Sequence, residues 1–243
     1  MESRRANSAP KRHPESRREP GEGSRAGAAL LHHQCHAEIM IHLPRLYAIV
    51  DTSCFPDNEA LFSTAEELVA GGVTLLQYRN KGGNAREMLE QARELKRRLA
   101  GSVKLIMNDR ADLCLAADFD GVHVGQEDLS PEGARKVVGT TLWLGVSTHN
   151  PEQVRGAEKT DAKYIAIGPV FSTASKANPD PVVGLEGVRQ ARALTRKPLV
   201  AIGGINRANC WSVIEAGADS VAVISDLIRE PRKSAEEILR ILG

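Results

Sequence analysis

TLLQYR (Thr74–Arg79), running on into Asn80 and Lys81, opens apolar and ends in an amide and two cations. Its short apolar start suits a strand buried on both faces. Gln77, Arg79 and Lys81 recur at period two, so an extended chain points all three side chains the same way. The segment that follows, Arg86–Leu99, has the spacing of a charged amphipathic helix. Upstream, LYAIVD (Leu46–Asp51) is another apolar run closed by a charge, and Glu59–Ala70 is helically spaced and ends at Gly71-Gly72. Downstream the unit recurs in KLIMND (Lys104–Asp109), GVHVG (Gly121–Gly125), WLGVST (Trp143–Thr148) and YIAIGPV (Tyr164–Val170). PLVAIGG (Pro198–Gly204), SVAVIS (Ser220–Ser225) and a closing helix over Ser234–Leu242 complete the series.

These are eight strand-like runs, each followed by a helical stretch. Strict alternation requires parallel pairing through right-handed crossovers. Eight units in about 200 residues point to an α/β fold of the closed (β/α)8 TIM-barrel class more than to an open sheet. The expected organisation is one barrel domain over residues 41–243, preceded by residues 1–40. That leading stretch is rich in Arg, Ser, Pro, Glu and Gly and almost lacks large apolar residues. It reads as a disordered basic and polar tail, or as an overcalled start with translation beginning at Met40. Glu2, Glu15, Glu19 and Glu22 fit an acid-poor transit peptide badly.

Composition excludes several classes. The formal net charge is +1 and aromatic residues make up 4% of the chain, which favours neither a nucleic-acid partner nor an acidic membrane surface. No apolar run reaches the roughly 18 residues of a membrane helix, and no secretory leader is visible. Cys35, Cys54, Cys114 and Cys210 are scattered without metal-ligand spacing, as expected of thiols in a reducing cytoplasm. A homo-oligomer is compatible with all of this.

The strands turn polar at their C-terminal ends, which a barrel gathers on one face, where active sites are built. Gln77, Arg79 and Lys81 there would form a diphosphate clamp, with Arg79 as a planar fork and Lys81 as a point charge. Asp109 and Asp128 end neighbouring strands and suggest Mg2+ bridging to phosphate; read singly, they are a helix cap and a loop charge. Gly203-Gly204 after the seventh run and Ile224-Ser225 after the eighth suit a phosphate cradle of backbone N–H groups. Two phosphate subsites on one mouth suggest the joining of two phosphorylated substrates. Lys176 lies in the long stretch STASKANPDPVVG (Ser172–Gly184), whose length suits a binding loop. His123, inside GVHVG, reads more simply as a satisfied core histidine than as a base.

Taken together, LYAIVD, QYRNK, NDR, GVHVGQED, GVSTH, GPVFSTASK, AIGGI and SVAVIS resemble the thiamine-phosphate synthase family over Leu46–Leu242. Any one motif is common, but the ordered set is specific. The resemblance implies a transferase that joins a hydroxymethylpyrimidine diphosphate to a thiazole phosphate and releases pyrophosphate. It implies that Gln77, Arg79, Lys81 and Asn108, within a stretch that includes Tyr78 and Asn80, hold the pyrimidine diphosphate, and that Ser147 and Lys176 grip its diphosphate. Asp109 and Asp128 would bind Mg2+. Thr173, Ala174 and Ser175, with Gly204, Ile224 and Ser225, would hold the thiazole phosphate. Arg79, Lys81, Ser147 and Lys176 would stabilise the leaving group. One departure is Thr-x-Ser before Lys176 where Thr-x-Thr is common, which keeps the hydroxyl. Two rivals remain: a thiazole tautomerase on the same barrel, with His123 as acid–base, and a non-catalytic phosphoheterocycle-binding regulator.

Overall fold

In a computed structural model, which describes residues 41–99, 101–173 and 180–243, the eight strands close into a parallel barrel in sequence order. They are β1 (Leu46–Asp51), β2 (Leu75–Arg79), β3 (Lys104–Asn108), β4 (Gly121–Val124), β5 (Trp143–Thr148), β6 (Tyr164–Ile167), β7 (Leu199–Ile202) and β8 (Ser220–Val223). The helices between them are α1 (Asn58–Ala70), α2 (Ala85–Leu99), α3 (Ala111–Ala116), α4 (Pro131–Val138), α5 (Pro151–Glu158), α6 (Gly184–Leu194) and α7 (Cys210–Glu215), with α8 (Pro231–Leu242) closing the chain. The reading of residues 1–40 as a disordered tail lies outside the described residues.

Strand alternation divides the core in two. Leu46, Ala48, Val50, Leu76, Tyr78, Leu105 and Met107 point outward and pack under the helices. Tyr47, Ile49, Leu75, Ile106, Tyr164, Ala166, Val200 and Ala222 point inward and fill the barrel, with Leu43 beneath them. Both faces of each strand are therefore buried, which is why the strands read as near-continuous apolar runs.

Helix starts follow local chemistry. Asp57, Ser130 and Asn150 cap α1, α4 and α5 by accepting backbone N–H groups of the first turn. Helix α8 begins at Pro231, three residues before the expected Ser234, because proline at the first helical position lacks only an N–H that would be unpaired there anyway. Among the described residues no helix is long and apolar enough to cross a membrane.

Candidate active site

The C-terminal ends of the strands surround a cavity of about 330 Å³. Gln77, Arg79, Lys81, Asn108, Asp109, Asp128, Ser147, Thr173, Gly204, Ile224 and Ser225 all line it, drawn from seven of the eight strand ends or the loops after them. Tyr78 and Asn80 do not. The alternation that turns Gln77, Arg79 and Lys81 inward sends these two to the helix side. There the Tyr78 hydroxyl donates to Gln91 of α2, and Asn80 accepts the N–H groups of Gly82 and Gly83 at 3.0 and 2.7 Å. Burial pushes the Tyr78 phenol up to about 12. Neither side chain reaches the cavity, and both shape the loop that carries Lys81. Ala174, Ser175 and Lys176 lie outside the described residues.

Arg79 is half-buried and ion-paired with Asp51, a carboxylate only 2% exposed at the end of β1. The other oxygen of Asp51 accepts from Ser53 N and Oγ at 3.0 and 2.7 Å. Asp51 thereby fixes the guanidinium at the rim, a role its place at a strand end foreshadowed.

Across β3 and β4 the charges are opposed. Asp109 follows β3 with φ +61°, in the left-handed region that non-glycine residues seldom adopt and that Asp and Asn tolerate best. Its N–H donates to the His123 carbonyl at 2.7 Å, and its carboxylate pairs with Lys81. That carboxylate also meets Asp128, whose Oδ2 accepts from Gly125 N at 2.8 Å. Burial first, and then the hydrogen bond with Asp128, pushes Asp109 up to about 6, while Lys81 pulls the other way. Two carboxylates lining one cavity are residues that could hold a cation. Asn108 Nδ2 is buried with no partner, beside this pair and lining the cavity. A buried donor without a partner is costly unless a ligand accepts from it.

On the opposite side Gly203 and Gly204 have φ +103° and +64°. A Cβ on Gly204 would fall 2.5 Å from the Ser172 carbonyl oxygen, so only glycine lets these loops close together. Asn209 Nδ2 holds the Gly204 carbonyl at 3.0 Å. Arg207 forks onto both oxygens of Asp226, tying the loop after β7 to the short 3-10 turn Ser225–Leu227 after β8. The two backbone stretches of the expected phosphate cradle are therefore braced against each other.

The floor is polar as well. Tyr47, Tyr164 and His123, from β1, β6 and β4, meet inside the barrel, and His123 Nε2 lies 2.8 Å from Ser147 Oγ. Burial lowers His123 to about 4, so its ring is neutral at pH 7. Sequence reasoning weighed His123 but missed Tyr47 and Tyr164, although their inward positions were readable from strand alternation.

The family model for thiamine monophosphate synthase matches residues 46–227, nearly the whole barrel. The chain belongs to that family. Membership makes it a transferase of thiamine biosynthesis. It is 65% identical over 205 residues to the thiamine-phosphate synthase of Koribacter versatilis, covering 83% of this chain and 97% of that one. The thiamine-phosphate synthase of Chloroflexus aurantiacus is 43% identical over 186 residues, 76% of this chain and 85% of its own. Among solved structures, a thiamine phosphate pyrophosphorylase from Pyrococcus furiosus superposes with a TM-score of 0.73 at 36% identity, covering 82% of this chain and 95% of that one. A 3-hexulose-6-phosphate synthase, at 17% identity and TM-score 0.64, shares the fold alone.

Proposed function

We propose that this family member condenses 4-amino-2-methyl-5-(diphosphooxymethyl)pyrimidine with 4-methyl-5-(2-phosphooxyethyl)thiazole, giving thiamine phosphate and pyrophosphate with the help of Mg2+. The observation that carries the reading is one cavity lined by Asp109, Asp128, Lys81 and Arg79 together with the braced glycine loop.

The donor set fits magnesium. Among the described residues no group of three His, Cys, Asp or Glu side chains gathers, so the protein offers a carboxylate pair. Magnesium commonly takes one or two carboxylates and fills its other positions with phosphate oxygens and water. Asp109 and Asp128 would hold it, and when bound it would supply neutralising charge for the departing pyrophosphate.

The rest falls to the chain's own side chains. The bond between the pyrimidine CH2 and the diphosphate oxygen breaks, and its electron pair leaves on pyrophosphate. The aminopyrimidine ring delocalises the cation, and the thiazole nitrogen lone pair then forms the new C–N bond. No protein nucleophile is needed. Arg79, locked by Asp51, together with Lys81 and Ser147, would stabilise charge growing on the leaving group. Lys176 joins them by family resemblance. The unpaired Asn108 amide would donate to the pyrimidine substrate, and Thr173, Gly204, Ile224 and Ser225 would cradle the thiazole phosphate. Both nitrogens of His123 are engaged by hydroxyls, which leaves the tautomerase reading without a free base. A cytoplasmic reaction is part of this proposal, since charged phosphate esters do not cross a bilayer unaided.

The test is pyrophosphate release from the purified chain. Release should require both substrates and Mg2+, stop with EDTA and return on adding Mg2+. Release that persists in EDTA would remove the metal from the proposal, and no release with both substrates present would remove the reaction.

A further inference from the structure

We propose that Tyr47, Tyr164 and His123 form a directional hydrogen-bond chain from the Gln77 amide to Ser147, which turns the Ser147 hydroxyl proton outward to an anion in the mouth. The links are Gln77 Nε2 to Tyr47 Oη at 2.8 Å, Tyr47 Oη to Tyr164 Oη at 3.0 Å and Tyr164 Oη to His123 Nδ1 at 3.1 Å. The last is His123 Nε2 to Ser147 Oγ at 2.8 Å. Gln77, Tyr47, Tyr164 and His123 are all at most 7% exposed, so water does not compete for these bonds.

An amide nitrogen can only donate, so the Tyr47 oxygen accepts from Gln77. In the direction we propose, the Tyr47 hydrogen goes on to Tyr164 and the Tyr164 hydrogen to His123 Nδ1. That nitrogen is bare, and the ring N–H sits on Nε2 and points at Ser147 Oγ. Ser147 accepts inward and keeps its own hydrogen for the cavity, which it lines. Run in reverse, the chain would consume the serine hydrogen and show only lone pairs to the mouth, an arrangement that repels a diphosphate.

The barrel makes room for this contact at Gly145. A Cβ there would lie 2.1 Å from Tyr164 Cζ, 2.4 Å from its hydroxyl oxygen and 2.5 Å from His123 Nδ1. The two rings also stack, with centroids 5.5 Å apart. Tyr47, Tyr164 and His123 act through Ser147 and are positioning residues. The proposal rests on the synthase reading only for the identity of the anion.

Nitrogen-15 NMR of the full chain, labelled at histidine, tests the direction without substrate. The signal lost in His123→Gln identifies the residue. It should show hydrogen on Nε2 and a bare Nδ1 at pH 7; hydrogen on Nδ1 would overturn the proposal. Tyr164→Phe should release this preference and lower kcat by ~10–100-fold, the usual cost of losing an orienting partner, with KM for both substrates little changed. Adding Tyr164→Phe to Ser147→Ala should cost nothing further, and additive losses would overturn the relay. Tyr47→Phe tests the same link from the far side if Tyr164→Phe folds poorly. Absent pyrophosphate release in the wild type would sink the synthase reading, and the tautomer would still decide the relay.

Discussion

The two ends of this barrel handle polar groups in opposite ways. At the N-terminal end, charges are spent on backbone. Arg135 donates to the carbonyls of Gly139, Leu142 and Asp161, joining the turns before β5 and β6. Lys197 holds the carbonyls of Thr160 and Ala162 at 2.6 and 2.9 Å. Asp120 and Asp219 accept the N–H groups of Leu105 and Leu199, where β3 and β7 begin. At the C-terminal end Asn108 keeps an unpaired amide, two carboxylates face each other, and Asp109 sits in a left-handed conformation. Apart from Arg135 Nε, the groups named at the N-terminal end are paired with backbone, while the C-terminal end turns polar groups toward the cavity. This is the division of labour expected of the fold, with stability below and chemistry above.

Exchanging effects between the two ends would break this comparison. The largest expected effect is at the mouth. Asp109→Asn keeps a residue that tolerates positive φ and removes the charge, so turnover should fall ~10²–10³-fold. Thermal denaturation should show a melting temperature no lower than wild type, because a carboxylate facing another is gone. A clear drop in melting temperature would mean that Asp109 is structural. Arg135→Leu should do the reverse. Several buried carbonyls lose their donor at ~1–3 kcal/mol each, and turnover per folded molecule should stay at the wild-type value. Denaturant titration and active-site-normalised kinetics read the two quantities separately.

The pH dependence sharpens the same contrast. The folded pKa of Asp109, about 6, lies above its ordinary value of 3.8. The folded state therefore binds this proton more tightly than the unfolded one. Its contribution to the metal-free chain is full below about 4 and is lost as pH rises through about 6. Mg2+ competes with the same proton, so its affinity should fall by roughly tenfold one pH unit below that pKa. Calorimetric titration of Mg2+ with pyrophosphate at several pH values checks this, and Asp109→Asn should flatten the profile.

The smallest expected effect belongs to an exposed charge at the N-terminal end. Lys104 lies 3.5 Å from Asp120 and 5.3 Å from the centroid of the Trp143 ring. Lys104→Ala should cost at most about 1 kcal/mol and leave turnover untouched.

Much of this was legible in the chain. Near-continuous apolar runs marked the strands, and their polar C-terminal ends marked the rim. Gln77, Arg79 and Lys81 shared a face by spacing alone, and the cavity receives all three. The same alternation turns Tyr78 and Asn80 to the helix side.

Sequence by itself determined the number and order of the strands and the face on which chemistry collects. Both depend on local hydrophobic period and on connection lengths too short for any other winding. Tertiary structure alone decided which distant residues touch. Tyr47 and Tyr164 are 117 positions apart, and Arg79 and Asp51 are 28 apart. Such pairs exist only once the barrel closes in one register, with Gly145 leaving space for two rings to meet. Closure also placed one carboxylate against another at Asp109 and Asp128, since burial and like charge act between neighbours in space and leave no mark on spacing along the chain.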